Sequence, residues 1–216
     1  MRPLQSDNPT YILSHHIARW FITLFGRVDA RGLHNIPPGP SILASNHQSH
    51  IDPALIAGTL GRELYFFARK TLFDQPLLGH VMRTCNTIPV DRDAHSDITA
   101  FKRIFTALRN GHPLLIFPEG TRSPDEQLQN AQPGIGLIAC KTQIPVVPIR
   151  AHGTHAMLPR NALIPRHRIP LTITYAPPMA PAEYDPGEQH PARYHEAARR
   201  IMARIAAIPP LPETLA

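Results

Sequence analysis

The stretch Ser45-Asn46-His47-Gln48-Ser49-His50-Ile51-Asp52-Pro53 brings two imidazoles and a carboxylate together within nine residues. An imidazole that donates from one ring nitrogen to a carboxylate is fixed in one tautomer, and its other nitrogen is left as a base. His47 and Asp52 are candidates for that pair. His47 and His50 are also spaced to share a metal ion, with Asp52 as a third ligand, although nothing elsewhere in the chain supplies an obvious fourth. A third reading has no chemistry: Asp52 caps a helix and His47 is a satisfied loop residue. On these nine residues alone, the base and the polar loop are equally good.

Pro53 bears on the geometry. Proline favours the first helical position and pushes the residue before it out of the helical region. Asp52 is therefore expected as an N-cap, with His47 in the loop ahead of it. Residues five apart on a continuous helix would lie about 140° apart around its axis and could not pair. A strand-to-helix loop can fold them together.

Leu115-Ile-Phe-Pro-Glu-Gly-Thr-Arg-Ser-Pro124 is the second informative stretch. Gly120 permits close approach of backbone to a ligand. Thr121 offers a hydroxyl, Arg122 a planar fork suited to phosphate, and Glu119 can orient a hydroxyl or hold Arg122. The bland alternative is a surface turn with an ion pair. Arg92 follows the apolar run 87–90, and Arg69 and Lys70 follow the run 64–68. Each alone reads as a solvated charge. Together they are cations at strand ends beside a candidate base, a pattern suited to deprotonating a hydroxyl on a phosphorylated substrate.

The elements that must position these residues alternate. Strands are expected at 41–45, 64–68, 87–90, 113–117 and 144–150, with a late, edge-type strand at 169–178. Helices are expected at 53–60, 75–85, 97–111, 134–142 and 190–208. This order predicts a single α/β domain over 30–208 with a mainly parallel central sheet flanked by helices. Ligands in such sheets bind outside the carboxyl ends of the strands, where His47, Arg92 and Glu119 would meet. Ahead of the domain, 11–28 reads as an amphipathic helix, within an N-terminal segment 1–29. Its aromatic and aliphatic face suits packing on the domain, contact with a membrane interface, or both. A Pro-rich tail is expected at 209–216.

The chain has 216 residues, a formal net charge of +6 and a pI near 9.8. That balance suits an anionic partner such as nucleic acid, lipid headgroups or a phosphorylated substrate. No nucleic-acid motif accompanies it. Cys85 and Cys140 form no disulfide framework and are expected as core residues in a reducing compartment. Neither a signal peptide nor a run of roughly 18 apolar residues is evident.

Taken in order, the motifs resemble the glycerolphosphate and lysophosphatidate acyltransferase family. Asn46–Asp52 matches its H-x4-D block, Ile88–Arg92 the block ending in arginine, Phe117–Ser123 the E-G-T-R block, and Ile144–Ile149 a proline-containing fourth block. The resemblance spans roughly 30–180. It implies an O-acyltransferase in phospholipid biosynthesis, in which His47 is the general base and Asp52 its support. The hydroxyl of a lysophospholipid would attack the thioester of acyl-CoA or an acyl carrier protein directly, without an acyl-enzyme. Arg92, Glu119, Gly120, Thr121 and Arg122 would bind the acceptor, with Arg69 and Lys70 where the family has lysine. Pro148 would help shape the acyl site. No metal or cofactor is implied. The partners implied are the donor, the acceptor and the membrane surface, met peripherally at the cytoplasmic face of a bacterial-type inner membrane, with no nucleic acid. Two positions depart from the family pattern. Cys85 and Asn86 stand where glycine is common, and Gln132 stands where a basic residue often precedes Pro133-Gly134. The competing classes are a metal-dependent hydrolase using His47 and His50, and a non-catalytic binder of anionic lipid or nucleic acid.

Overall fold

The structure, a computed structural model, describes residues 3–90, 98–159, 162 and 164–209. Arg92 and the tail 210–216 lie outside the described residues. A seven-stranded sheet runs β1 (Gly26–Arg31), β7 (Ile169–Tyr175), β6 (Val146–His152), β2 (Ile42–Ser45), β5 (Leu114–Ile116), β3 (Tyr65–Arg69) and β4 (Thr87–Val90). Neighbours pair in parallel except β6 and β7. The expected fold class is therefore the observed one. Five parallel strands carry the middle of the molecule, and β7 with β1 runs against them.

Helices α1 (Pro9–Phe25), α2 (Asp52–Thr59) and the short α6 (Thr154–Met157) lie on one face of the sheet. On the other face are α4 (Ile98–Arg109), α5 (Pro133–Thr142), the short α7 (Pro181–Tyr184) and α8 (Arg193–Ala206). A further helix, α3 (Pro76–Thr84), joins β3 to β4. The short, wholly buried run of β2 explains its position: Ile42 and Ala44 pack into the α4–α5–α8 layer, while Leu43 packs on the opposite side with Ile56 and Leu60 of the α2 region.

Two expectations from the sequence need correction. The first helix ends at Phe25 rather than 28, so the expected boundary at 29/30 falls inside a strand. Asn8 caps this helix by accepting from the N–H groups of Thr10 and Tyr11, and Pro9 follows at the first helical position. At Gly26 the chain turns into β1, where an added Cβ would meet the Leu171 side chain at 2.5 Å. Helical periodicity running into 28 concealed that switch. Second, the late strand is not an edge: β7 lies between β1 and β6. Cys140 is buried and Cys85 half-buried, both as free thiols. Asn86 takes the left-handed conformation a glycine would, with φ of 55°, and its amide donates to Glu63.

Gly136 shows how tightly the layers approach. A Cβ there would lie 1.9 Å from the Tyr194 carbonyl oxygen of α8, a backbone atom that cannot swing aside. Gly136→Ala is expected to destabilise the fold by about 2 kcal/mol or more, by prying α5 from α8. Urea denaturation of the two proteins checks this, and a difference under about 0.5 kcal/mol would contradict it.

Candidate active site

β2 ends at Ser45 and the chain enters the 46–51 loop, which α2 closes. Asp52 is wholly buried. It is the first residue of α2, and Ile51, not Asp52, occupies the cap position. The carboxylate turns back instead of capping forward: its Oδ2 accepts from the backbone N–H of Gln48 at 2.7 Å and of Ser49 at 2.8 Å. The same oxygen lies 2.8 Å from His47 Nδ1. An oxygen already accepting two N–H bonds acts as acceptor for the ring as well, so Nδ1 carries the proton and Nε2 presents its lone pair. The His47 side chain keeps 18% exposure against 0% for Asp52, and Nε2 has no partner among the described residues. The base-and-orienter geometry expected from sequence is present, although Asp52 achieves it without acting as an N-cap.

Phe117, the residue after β5, stacks on the imidazole at 4.0 Å between centroids and 18° between planes. The ring is thus held at its edge by a carboxylate and at its face by an aromatic.

The rest of the loop is stitched to its neighbours. Glu119 is 3% exposed, and its two carboxylate oxygens accept from the N–H groups of His47 at 2.8 Å and Gln129 at 3.1 Å. Burial raises its pKa above the usual carboxylate value, partly offset by those two donors. Glu119 thus braces the 46–51 loop with one carboxylate oxygen and holds Gln129 with the other. Ser123 N–H donates to the His47 carbonyl at 2.7 Å, and the Gln48 amide donates to the Glu126 carbonyl at 3.1 Å. On the β6 side, Asn46 both donates to and accepts from the backbone of Ala151, at 2.9 and 2.7 Å, and the Ser49 hydroxyl donates to the Leu158 carbonyl. Asn46, Gln48, Phe117 and Ser123, whose contacts hold the loop and the His47 ring, were passed over by the sequence reading.

The remaining candidates fall as follows. Gly120 has a φ of +68°, and its N–H closes a turn on the Phe117 carbonyl. Thr121 is exposed and Arg122 half-buried. His50 is exposed, and its pKa is lowered by burial of its ring first and then by the charges of Arg122 and His47, against Asp52. Arg122 is thereby close enough to the loop for its charge to be felt there. Arg69 ends β3 and Lys70 opens a 3-10 turn, both exposed at the same edge of the sheet. Arg92 follows β4 outside the described residues. Among the described residues no three His, Cys, Asp or Glu side chains converge as metal ligands would.

A strand-end imidazole fixed by a buried carboxylate has the geometry of a base for a hydroxyl. Comparison with known proteins gives the family. The model of the Acyltransferase family matches residues 27–152. The chain is 34% identical over 155 residues to a chloroplast 1-acyl-sn-glycerol-3-phosphate acyltransferase of Brassica napus, covering 68% of this chain and 45% of that protein. It is 31% identical over 138 residues to a 1-acyl-sn-glycerol-3-phosphate acyltransferase of Pseudomonas aeruginosa, covering 62% of this chain and 52% of that one. It thus spans about half the length of the curated relatives it matches. Among solved structures it is similar to the 1-acyl-sn-glycerophosphate acyltransferase PlsC from Thermotoga maritima, with a TM-score of 0.72 and 25% identity over 93% of this chain and 81% of that one. With the family model matching more than half of its residues, from Arg27 to His152, the chain belongs to the Acyltransferase family.

Proposed function

We propose that this protein transfers a fatty acyl group from a thioester, acyl-CoA or acyl carrier protein, to the free hydroxyl of lysophosphatidate. The observation that carries the reading is the His47 Nδ1 to Asp52 Oδ2 contact of 2.8 Å, in a ring whose other nitrogen has no partner among the described residues. His47 Nε2 takes the proton of the acceptor hydroxyl as its oxygen attacks the thioester carbonyl. The C–S bond of the resulting tetrahedral intermediate breaks, and the thiolate leaves with the proton that His47 returns. Asp52 holds the ring and steadies the imidazolium between those steps. Arg122 and Arg92 meet the acceptor phosphate, with Thr121, Arg69 and Lys70 at the rim and Gly120 giving the backbone room. The names of the relatives support lysophosphatidate as the acceptor. Incubation with lysophosphatidate, other lyso-acceptors and one acyl thioester, with products identified by mass, tests the reading. Absence of phosphatidate would refute it.

The same reading sets the protein peripherally on the cytoplasmic face of a membrane. Among the described residues no helix is long and apolar enough to cross one. α1 supports contact: Leu13, Ile17, Trp20 and Leu24 are exposed at 63, 57, 64 and 45%, at the i, i+4, i+7, i+11 spacing of a single stripe. Tyr11, His15 and Ile22 are buried on its other side, so α1 packs on the domain and still presents apolar surface. Replacing Ile17 and Trp20 with serine is expected to reduce flotation with anionic vesicles severalfold. Equal flotation would remove the stripe as the contact.

A further inference from the structure

A carboxylate as deeply buried as Glu119 keeps its charge only with help. The N–H groups of His47 and Gln129 supply part of that help. The charges in the catalytic loop do not supply the rest. Asp52 is of like sign and opposes ionisation of Glu119, and His47 favours it only while protonated. A base waiting for its proton is neutral, so the brace on His47 needs a cation from elsewhere.

β6 carries one to this place. It pairs with β2 in parallel, with Ser45 beside Ile149. The next step of that register brings Asn46 to Arg150, and Asn46 clasps the backbone of Ala151. Along β6, Val146 packs into the α4–α5–α8 layer, while Val147 and Ile149 pack on the opposite side. Alternation turns Arg150 and His152 to the side of Val146. Glu119 reaches the same side: its second oxygen holds Gln129, and the segment around Gln129 packs against that layer through Leu128 and Ala131.

Arg150 is half-buried, its Nε is buried without a partner, and its guanidinium makes no hydrogen bond or ion pair among the described residues. Burial lowers its pKa, and the charge of Glu119 acts against that. His152, two residues on, is held below its ordinary value by burial first and the Arg150 charge second, so at neutral pH it adds no second cation. A half-buried guanidinium that touches no carboxylate still lowers the cost of a buried negative charge nearby, because partly buried charges are weakly screened.

We propose that Arg150 is a positioning residue for the base: its guanidinium is the counter-charge of Glu119, and through Glu119 it holds the His47 backbone in place. This rests on the acyl-transfer reading above. The test follows acyl transfer to lysophosphatidate against pH for the wild type, Arg150→Gln and Arg150→Lys, alone and in a Glu119→Gln background. Asp52, Arg122 and His152 stay the same throughout. Without the cation, Glu119 takes up its proton at higher pH, so the acid limb of kcat should move up by about half a pH unit or more, with KM for the acceptor unchanged within about twofold. Arg150→Lys, which keeps the charge, should follow the wild type. In the Glu119→Gln background, Arg150→Gln should add no further loss. Thermal melting repeats the comparison without activity. Ionised Glu119 costs more once Arg150 is gone, so Arg150→Gln should melt below the wild type at neutral pH. That gap should close on acidification below pH 4.5, the ordinary glutamate value, where Glu119 is protonated in folded and unfolded chains alike. An acid limb that moves equally in the Glu119→Gln background would make Arg150 act on His47 directly. A rise in KM alone would make it a substrate contact, and a melting gap independent of pH would make its role packing. Each of these overturns the proposal and leaves the activity standing. No transfer by the wild type would refute the acyl-transfer reading and the role of a base with it, leaving the melting comparison to decide the pairing of Arg150 with Glu119.

Discussion

His47→Ala is expected to lower the acyl-transfer rate about 10²–10⁴-fold, the usual contribution of a positioned general base. The loss should fall on kcat rather than on affinity for the acceptor, whose phosphate is assigned to Arg122 and Arg92. The substitution is also clean structurally. The bonds fixing this residue to its neighbours run through its backbone, from His47 N–H to Glu119 and from Ser123 N–H to the His47 carbonyl. Truncation removes the ring's stacking on Phe117, worth about 0.5–1.5 kcal/mol, and leaves the loop in place. The measurement is single-turnover acyl transfer beside a thermal melt. A rate within about tenfold of wild type would end the assignment of His47 as the base.

Asp52 separates two contributions that His47 cannot. Asp52→Asn can keep an oxygen where Oδ2 now accepts from Gln48, Ser49 and the ring, so the fold and the tautomer should survive. The negative charge beside the imidazolium is lost, and the rate should fall about 10²–10⁴-fold. Asp52→Ala removes the acceptor too. Two buried N–H groups then lack partners at about 1–3 kcal/mol each, so this variant should be both inactive and clearly less stable. Equal stability of the two variants would show that the carboxylate does not hold the loop. Activity in Asp52→Asn near the wild-type level would show that its charge does not serve the base.

The α/β class and the strand-end position of His47, Glu119 and Arg122 were legible because buried parallel strands read as short apolar runs and Pro53 marks a helix start. β1 was not legible: Gly26–Arg31 continues the helical pattern of α1 and becomes a strand only because it pairs with β7, a partner more than 140 residues away. The interior position of β7 was hidden for the same reason, since the strand that covers its outer side is β1. At the site, residue types announced the His47–Asp52 contact. They did not announce Glu119 as a brace, because a carboxylate in a glycine-containing loop looks the same whether it meets substrate or backbone N–H groups. Asn46, Gln48 and Ser123 left no sequence signal for a related reason: the bonds they make to distant chain involve backbone groups on one or both sides, which carry no residue identity.

The bonds that stitch the catalytic loop also set its place in time. They join residues 105 apart for Asn46 and Ala151, 72 for His47 and Glu119, 78 for Gln48 and Glu126, and 109 for Ser49 and Leu158. Pairings at such separations form slowly, after local helices have appeared. The His47–Asp52 pair is itself local, yet its competent geometry waits until β2, β5 and β6 are all assembled. The proposed acyl transfer would thus be a late-maturing property of this chain: after dilution from denaturant, recovery of turnover is expected to trail recovery of helical signal.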